Sequence, residues 1–407
     1  MRRLLPVAIV LATSAAHADT KPADQGVDFI SDAKLLYRVA ACGGTDAVDA
    51  KLDKIVTAHC KAIDKKLGDF KKAYFEKNHD WFTKIVPSDA PKTVVYPFGG
   101  GDLISALVAF PDATDITTLS LELAGDPRRL KTLKPSQVQV SLGGLRAEIG
   151  GLISVGSNTS ENLSNGQRND LPAQVSSFLM GLVAGGYEPV AMRYFTIDDA
   201  GELHYLTQAE IDASDAEAKE KVQKDAKKAK LDPEYKASSH LKADWLSPNF
   251  ALAFSNVEIQ YKKIGEDTIR VHRHIAWNLG DSYLTKHPEV IRYLEKKGQV
   301  TMLVKGASYL LWRADFSRVR GYILDHLAWM LSDSTGVPPA YAKPAGMIQE
   351  TYGKFDGAFL EGSQTSKHNE DMIELWKNQK KRPLPFRFGY VDMNKQAHLV
   401  VTKPRPK

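Results

Sequence analysis

The sequence predicts a mixed α/β protein: one central mixed sheet with helices on both faces, preceded by an N-terminal helical segment. Three observations carry this expectation. From Val27 to about Asn78, apolar residues recur at three- and four-residue steps, the spacing of one helix face. Between Thr93 and Leu123 a strand, a short helix and a second strand follow one another, the order of a βαβ unit with parallel strands and a right-handed crossover. Further on, Asn256 to Lys262 and Thr268 to Asn278 alternate apolar and polar residues around a Gly265-Glu266-Asp267 turn, the pattern of a hairpin.

The chain begins with an export signal by pattern. Arg2 and Arg3 precede the apolar run Leu4 to Ala12, and Ala16-His17-Ala18 supplies a small-x-small cleavage site after Ala18. The run is too short to span a membrane, which takes about 20 residues, and no later stretch approaches that length. Val39-Ala40-Ala41-Cys42 is not a lipoprotein site, because Asp32, Lys34 and Arg38 precede it where an apolar run is required. A periplasmic or secreted location is therefore expected. Of 407 residues, 43% are hydrophobic and 25% charged, the balance of a globular chain and not of a disordered one. Removing residues 1–18 takes two arginines and no acids, leaving 52 basic residues against 49 acidic ones. That small excess, with no concentrated basic face, excludes a nucleic-acid binder.

Residues 19–90 are expected to form the helical segment and 91–407 the α/β body. In the first of these, Phe29, Ala33, Leu36 and Tyr37, then Leu52, Ile55, Val56 and Ile63, mark the apolar stripes, and Trp81 and Phe82 dock its end onto the body. Cys42 and Cys60 are the two cysteines, and an oxidising compartment favours their pairing as a structural staple. Geometry sets a condition. A helix from about Asp46 to Cys60 would be roughly 21 Å long, more than four extended residues can retrace, at about 14 Å. A helix starting near Asp49 or Ala50 leaves a loop long enough, with Gly43-Gly44, to fold back. A Cys-x-x-Cys redox pair is excluded by the spacing.

In the body, Thr93 to Pro97 reads as a buried strand, Leu103 to Phe110 as a helix and Ile116 to Leu123 as a strand, with Pro111-Asp112 at the turn. Gln137 to Leu142 reads as another strand, Ser154 to Asp170 as a polar loop, Leu171 to Val183 as a packed helix, and Tyr187 to Ile197 as a strand. Asp198-Asp199-Ala200-Gly201 signals a hairpin turn into His204-Tyr205-Leu206. Gln208 to Ser239 is a charged insert with almost no apolar stripe, read as a solvent-facing helix or a mobile excursion. After the Asn256 hairpin come a helix (His287 to Lys297), a strand (Val300 to Lys305), a long helix (Phe316 to Ser332) and a final strand (His398 to Val401).

Three stretches are candidate sites. Gly99-Gly100-Gly101-Asp102 follows a strand and opens a helix, and Glu122 stands 20 residues after Asp102. In a dinucleotide fold such glycines admit a pyrophosphate to a helix N-terminus and such an acid takes the ribose. Gly-x-Gly-x-x-Gly and the phosphate-loop spacing are both absent, and nicotinamide or adenosyl cofactors do not belong outside the cytoplasm, so no cofactor is expected. An acid at a helix start also caps free amides, and on balance the glycines are read as a tight turn. His272 and His274 lie at i and i+2 on a strand, facing the same side as two ligands of one metal must, without a third ligand at a telling spacing. Asp325 and His326 are adjacent on a helix and point about 100° apart, so they form no dyad together. Gly-x-Ser-x-Gly and His-Glu-x-x-His are absent.

Tyr96-Pro97-Phe98-Gly99-Gly100-Gly101-Asp102, then Phe110-Pro111-Asp112-Ala113 and Glu122-Leu123-Ala124-Gly125, resemble the motifs Y-P-F-[SG]-G-x-D, F-P-x-A and E-x-x-G of a family of exported bacterial proteins of unknown function. Ala307-Ser308-Tyr309-Leu310, Phe316 to Arg320 with Ile323-Leu324, Gly336-Val337-Pro338, Tyr352-Gly353 and Leu384-Pro385-Phe386 with Gly389-Tyr390 are similar too, so the resemblance runs from about Val94 to the C-terminus. Gly101 stands where the family pattern has proline, and Ser332-Asp333-Ser334-Thr335 stands where it has a run closer to Asp-Asp-Ser. The resemblance implies export and a single-unit fold and brings no activity. The sequence thus leads to a soluble envelope protein that binds an envelope component or small molecule without turning it over. The alternative is a periplasmic hydrolase with its site near the Gly-Gly-Gly-Asp turn, at Gly99, Gly100, Gly101, Asp102 and Glu122.

Overall fold

The computed structural model describes residues 26–154, 171–231, 251–305, 307–355, 366–386, 388 and 397–406. The expected export signal, nearly all of the stretch 154–170 read as a loop, the end of the charged insert beyond Leu231 and the Gly389-Tyr390 motif lie outside them. Ten strands form one mixed sheet: β1 (Thr93–Pro97), β2 (Asp115–Ser120), β3 (Tyr187–Ile197), β4 (Leu203–Tyr205), β5 (Asn256–Lys263), β6 (Ile269–Ala276), β7 (Val300–Val304), β8 (Leu327–Ser332), β9 (Met347–Gly353) and β10 (His398–Pro404). Their order is β4-β3-β5-β6-β2-β1-β7-β8-β10-β9. The run β6-β2-β1-β7-β8 is parallel, and the strands on either side of it are antiparallel.

The period of two in each strand sends alternate residues into two apolar layers. Val94, Ile116, Leu303 and Leu331 face one layer, and Val95, Leu119, Met302 and Met330 face the other. Helices α1 (Ile30–Val39), α2 (Ala50–Phe70), α3 (Glu76–Ile85), α4 (Leu103–Ala109), α5 (Pro135–Ser154) and α6 (Ala173–Gly185) contribute to the first layer. The second receives Val290 and Leu294 from α8 (Glu289–Glu295) and Val319 and Ile323 from α9 (Ser317–His326). A helix α7 (Gln208–Leu231) lies between β4 and β5 in the chain, and α10 (Ser366–Lys377) precedes β10. The N-terminal helices bury Ala33, Leu36, Val56 and Phe82 in the same core as the sheet. Trp81 stacks edge-on against Tyr352 and Phe386 at 5.1 and 5.2 Å, the docking expected of it.

Helix α2 begins at Ala50, with the Asp49 side chain accepting from the Lys51 amide. That start satisfies the geometric condition for the disulfide. Cys42 and Cys60 are bonded, with Cα atoms 5.4 Å apart. Next to the bridge, His59 Nε2 donates to the Ala40 carbonyl at 2.9 Å and Nδ1 accepts from Arg146 at 3.0 Å. The two segments are therefore joined twice, once covalently and once through a buried imidazole.

Two expected elements are corrected. Gln137 to Leu142 is not a strand but part of α5. Its Val138 and Val140 have the β-branched look of a strand, yet Val138, Leu142 and Leu145 are the buried residues, at helical spacing, while Val140 is 65% exposed. The long helix expected from Phe316 to Ser332 stops at His326, and Leu327–Ser332 is β8. The apolar stripe Val319, Ile323, Leu327, Met330 runs across the boundary by coincidence, and pairing with both β7 and β10 decides the matter for the strand. The charged insert is a helix over its described part, and it is not wholly solvated. Ile211 is buried, Ser214 Oγ accepts from the Ala253 amide at 3.0 Å, and Asp215 pairs with Arg128 at 3.0 Å.

Strand β9, absent from the sequence reading, closes one edge of the sheet. Its outward carbonyls at Gln349 and Thr351 accept from the side chains of Gln379 and Arg382, and the Gly353 amide donates to the Arg382 carbonyl. An edge satisfied this way offers little to another strand.

Candidate functional site

The glycine stretch is a tight reversal from β1 into α4. Gly99 N donates to the Tyr96 carbonyl at 3.2 Å, and Asp102 N donates to the Gly99 carbonyl at 3.0 Å. Gly100 has φ +50°, and Phe98 has φ +61°, a left-handed conformation that costs a side-chain-bearing residue about 1–2 kcal/mol. A Cβ on Gly99 would lie 2.8 Å from the Tyr96 ring, so that position is glycine because a ring lies against it.

Asp102 caps α4, its Oδ1 accepting from Ser105 N at 3.3 Å. Its Oδ2 accepts from the Tyr96 hydroxyl at 2.9 Å and faces Lys305 Nζ at 3.0 Å. Lys305 also donates to Ser105 Oγ at 2.7 Å, and its ammonium lies 5.5 Å from the centre of the Phe388 ring. The space before the helix that a phosphate would need is taken by a carboxylate, which satisfies the helix end itself and would repel a second anion.

Asp102 and Lys305 stand where the strand order reverses. From β1 the chain crosses to β2 on one side, while β7, on the other side, leads to β8. In open sheets the crevice outside the carboxyl ends of such strands is the usual place for a ligand. Lys305 directly follows β7, and the segment after β8 is tied to it by Asp333 N donating to the Val304 carbonyl at 3.2 Å. Ser308, Ser332, Asp333, Ser334, Thr335 and His398 are all buried there. The Thr335 amide (2.8 Å) and hydroxyl both donate to Asp333 Oδ1, which leaves the Ser308 hydroxyl to donate to Thr335 Oγ1. Ser334 N donates to His398 Nδ1 at 3.1 Å, which puts the proton of a neutral His398 on Nε2. The hydroxyls of Ser332 and Ser334 are buried without a partner among the described residues.

The other candidates fall elsewhere. Glu122 is buried after β2, where its carbonyl accepts from His274 Nε2 at 2.8 Å, and the following amides of Ala124 and Gly125 bond to Ser255 and Phe254. No hydrogen bond joins it to Asp102. His272 and His274 face the same side, as their spacing requires, and both meet Thr118 Oγ1, at 3.0 and 3.1 Å. The proton positions follow in sequence. His274 Nε2–H donates to Glu122 O, so Nδ1 accepts from the Thr118 hydroxyl, whose oxygen then accepts from His272 Nε2–H. Burial lowers the pKa of both rings, that of His272 well below its ordinary value, with the neighbouring His274 adding to the effect. The lone pair a metal would need on His274 is spent on Thr118. No group of three potential metal ligands occurs among the described residues. Asp325 and His326 sit at the other end of β8 from Ser332. The Asp325 carbonyl accepts from Gln299, and His326 stacks on Tyr322.

Lys305, Tyr96 and the buried hydroxyls after β8 were not singled out as functional from the sequence. The one available signal was position: Lys305 ends an apolar strand and Ser308 lies just beyond it, whereas Ser332–Thr335 gave none, because Leu327–Ser332 reads as part of a helix. Compared with known proteins, the chain matches no family model, no curated protein and no solved structure.

Proposed function

We propose that this is an exported envelope protein that binds a ligand without transforming it, and that its ligand site is the crevice at the carboxyl ends of β1, β7 and β8. The observation that carries this reading is the closure of Lys305 on Asp102 and Ser105. A lysine that serves as a base needs its nitrogen free for the substrate, and Lys305 Nζ is engaged by Asp102 Oδ2 at 3.0 Å and Ser105 Oγ at 2.7 Å. Ser105 Oγ accepts a hydrogen bond from Lys305, which makes it a poorer nucleophile. His398 is engaged as well, since its Nδ1 accepts from the backbone amide of Ser334 and not from its hydroxyl. A hydrolase at the Gly-Gly-Gly-Asp turn, the alternative, would need one of these groups free.

The chemistry of the crevice favours an uncharged, hydroxyl-rich ligand such as a cell-wall glycan fragment. Asp102 and Lys305 balance one another, the hydroxyls of Tyr96, Ser105, Ser308 and Thr335 are bonded to protein groups, and those of Ser332 and Ser334 have no partner among the described residues. Export is supported by the Arg2–Ala18 pattern, by the Cys42–Cys60 disulfide and by the absence, among the described residues, of a helix long and apolar enough to cross a membrane. The test is the melting temperature of the mature protein against sugars, cell-wall fragments, nucleotides and divalent metals, followed by product analysis for whichever stabilises it. A rise with a neutral glycan that is lost in Lys305→Met, without consumption of the glycan, supports the proposal. Consumption of the ligand establishes the hydrolase instead, and stabilisation by nucleotides alone overturns the ligand class.

A further inference from the structure

A concavity that shares no residue with that site lies between α1, the loop after Cys42 and the segment around Lys131. It has a volume of about 520 Å³ and is lined by Ile30, Ser31, Lys34, Leu35, Arg38, Asp46, Ala47 and Lys131. The volume falls within the roughly 300–1,000 Å³ of small-molecule sites. Ile30, Lys34, Leu35 and Arg38 share one face of α1, because they recur at steps of one helical turn. The opposite wall, Asp46 and Ala47, belongs to the loop that the Cys42–Cys60 bond holds, and Arg38 Nε fastens it further by donating to the Asp46 carbonyl at 3.1 Å. The wall is therefore fixed before any ligand arrives, which removes an ordering cost from binding.

The charges of this pocket are not balanced internally. Lys131 is neutralised by Asp32 at 2.8 Å. Lys34 has no acidic partner among the described residues, and Arg38 has used only its Nε, leaving its terminal nitrogens. Against these two cations stands one lining acid, Asp46, so the pocket carries an excess of one positive charge. Its remaining surface is apolar: Ile30, Leu35, Ala47 and the alkyl stems of the lysines. From these observations we infer that the pocket binds a singly charged amphiphilic carboxylate, with the carboxylate between Arg38 and Lys34 and the aliphatic part against Ile30, Leu35 and Ala47. The planar guanidinium fork suits a carboxylate, and the single excess charge matches a monoanion better than a doubly charged phosphate monoester.

The experiment uses the full mature chain and decanoate below its micelle concentration, followed by calorimetry at low and high salt. Saturable binding with one site, weakened by salt, is expected. Lys34→Gln should weaken it about tenfold, as removal of a charge-assisted hydrogen bond does, while Lys286→Gln, an exposed lysine on another part of the surface, leaves it unchanged. Lys34 is exposed and packs against nothing essential, so the variant folds, and its circular dichroism and melting curve should match the wild type. Decanol, with the same chain and no charge, should bind at least tenfold more weakly than decanoate. Absence of decanoate binding, equal binding by Lys34→Gln, or decanol binding as tightly as decanoate would each overturn the inference. These results are independent of the glycan test, because no residue is shared between the two sites.

Discussion

Replacing Asp102 by alanine separates architecture from function at the glycine turn, and its cost can be worked out from three contacts. The carboxylate caps α4 through Ser105 N, a contribution of about 1 kcal/mol. It accepts from the Tyr96 hydroxyl, worth about another 1 kcal/mol. It also neutralises Lys305. Removing one member of a fully buried ion pair costs about 3–5 kcal/mol, but the two side chains keep 17% and 12% exposure, so solvent lowers the penalty to about 1–2 kcal/mol. Asp102→Ala should therefore destabilise by about 3–4 kcal/mol, and Asp102→Asn, which keeps an acceptor for Tyr96 and the cap, by about half as much. Lys305→Met removes the cation and leaves Asp102 its two remaining donors, at about 1–2 kcal/mol. The Asp102→Ala/Lys305→Met double variant should be more stable than the sum of the two single losses implies, by about 1–2 kcal/mol, because no charge is left unpaired. Urea unfolding of the wild type and the four variants, at constant m value, measures all of these. Strict additivity, or a loss of less than about 0.5 kcal/mol in Asp102→Ala, refutes the view that the pair is part of the framework.

Four other outcomes can be checked with the same methods. The Cys42→Ser/Cys60→Ser variant loses the constraint of a closed loop with a sequence separation of 18, worth about 3 kcal/mol by chain entropy; because His59 still joins Ala40, the native fold should persist with a lower urea midpoint, and an unchanged midpoint contradicts this. His272 and His274 have native pKa values below their unfolded value, so the native state binds fewer protons, and the stability they contribute is present above pH of about 6.5 and declines as pH falls below it. Arg273 and Glu122 are the charged neighbours, and His272→Gln should show a shallower loss between pH 7.5 and 5.5 than the wild type; parallel curves would count against it. Gly99→Ala should cost about 1–3 kcal/mol through contact with the Tyr96 ring, whereas Gly143→Ala within α5, where a Cβ meets nothing closer than 3.6 Å, should be neutral or stabilising; equal effects would remove the steric explanation. Ser334→Ala removes a buried hydroxyl without a partner among the described residues and should raise the unfolding free energy by about 0.5–1 kcal/mol, and a loss of stability would mean that the hydroxyl is bonded, for instance to an ordered water.

What could be read from the sequence was whatever a local pattern enforces. Strand β3, from Tyr187 to Ile197, and the β5–β6 hairpin follow from alternation between clear turns, whereas the start of α2 stayed open between Asp46 and Ala50 and was decided by the Asp49 cap in the structure. The parallel pairing of β1 and β2 follows from a short helix between two apolar runs. Leu327–Ser332 was misread because its residues suit a helix as well as a strand, and only its neighbours β7 and β10, remote in sequence, choose between them. Strand β9 escaped for the same reason: its pairing partner lies at the far end of the chain. The glycine turn could be placed between a strand and a helix, and Asp102 could be named as its cap. Its partner Lys305 could not, because an ion pair across 203 positions leaves no trace in either local pattern.

Three departures from ordinary packing fall together at the carboxyl ends of β1 and β8, although others lie elsewhere, among them Cys42 at positive φ and buried atoms of Asp115, Thr117 and Tyr261 without a partner among the described residues. Phe98 is held at positive φ after β1, Gly99 is pressed against a ring, and two buried serine hydroxyls lack partners after β8. At the opposite end of the same strands, Thr301 Oγ1 bonds to the Pro91 carbonyl, Gln299 to the Asp325 carbonyl, and Lys297 to Asp115. Each of the three departures costs on the order of 1–3 kcal/mol, a large share of the roughly 5–15 kcal/mol by which a native protein is stable. A chain keeps such costs together where something other than stability requires that shape. The crevice outside β1, β7 and β8 is therefore the part of this sheet where a ligand should be sought first, even though its one charged pair is closed on itself.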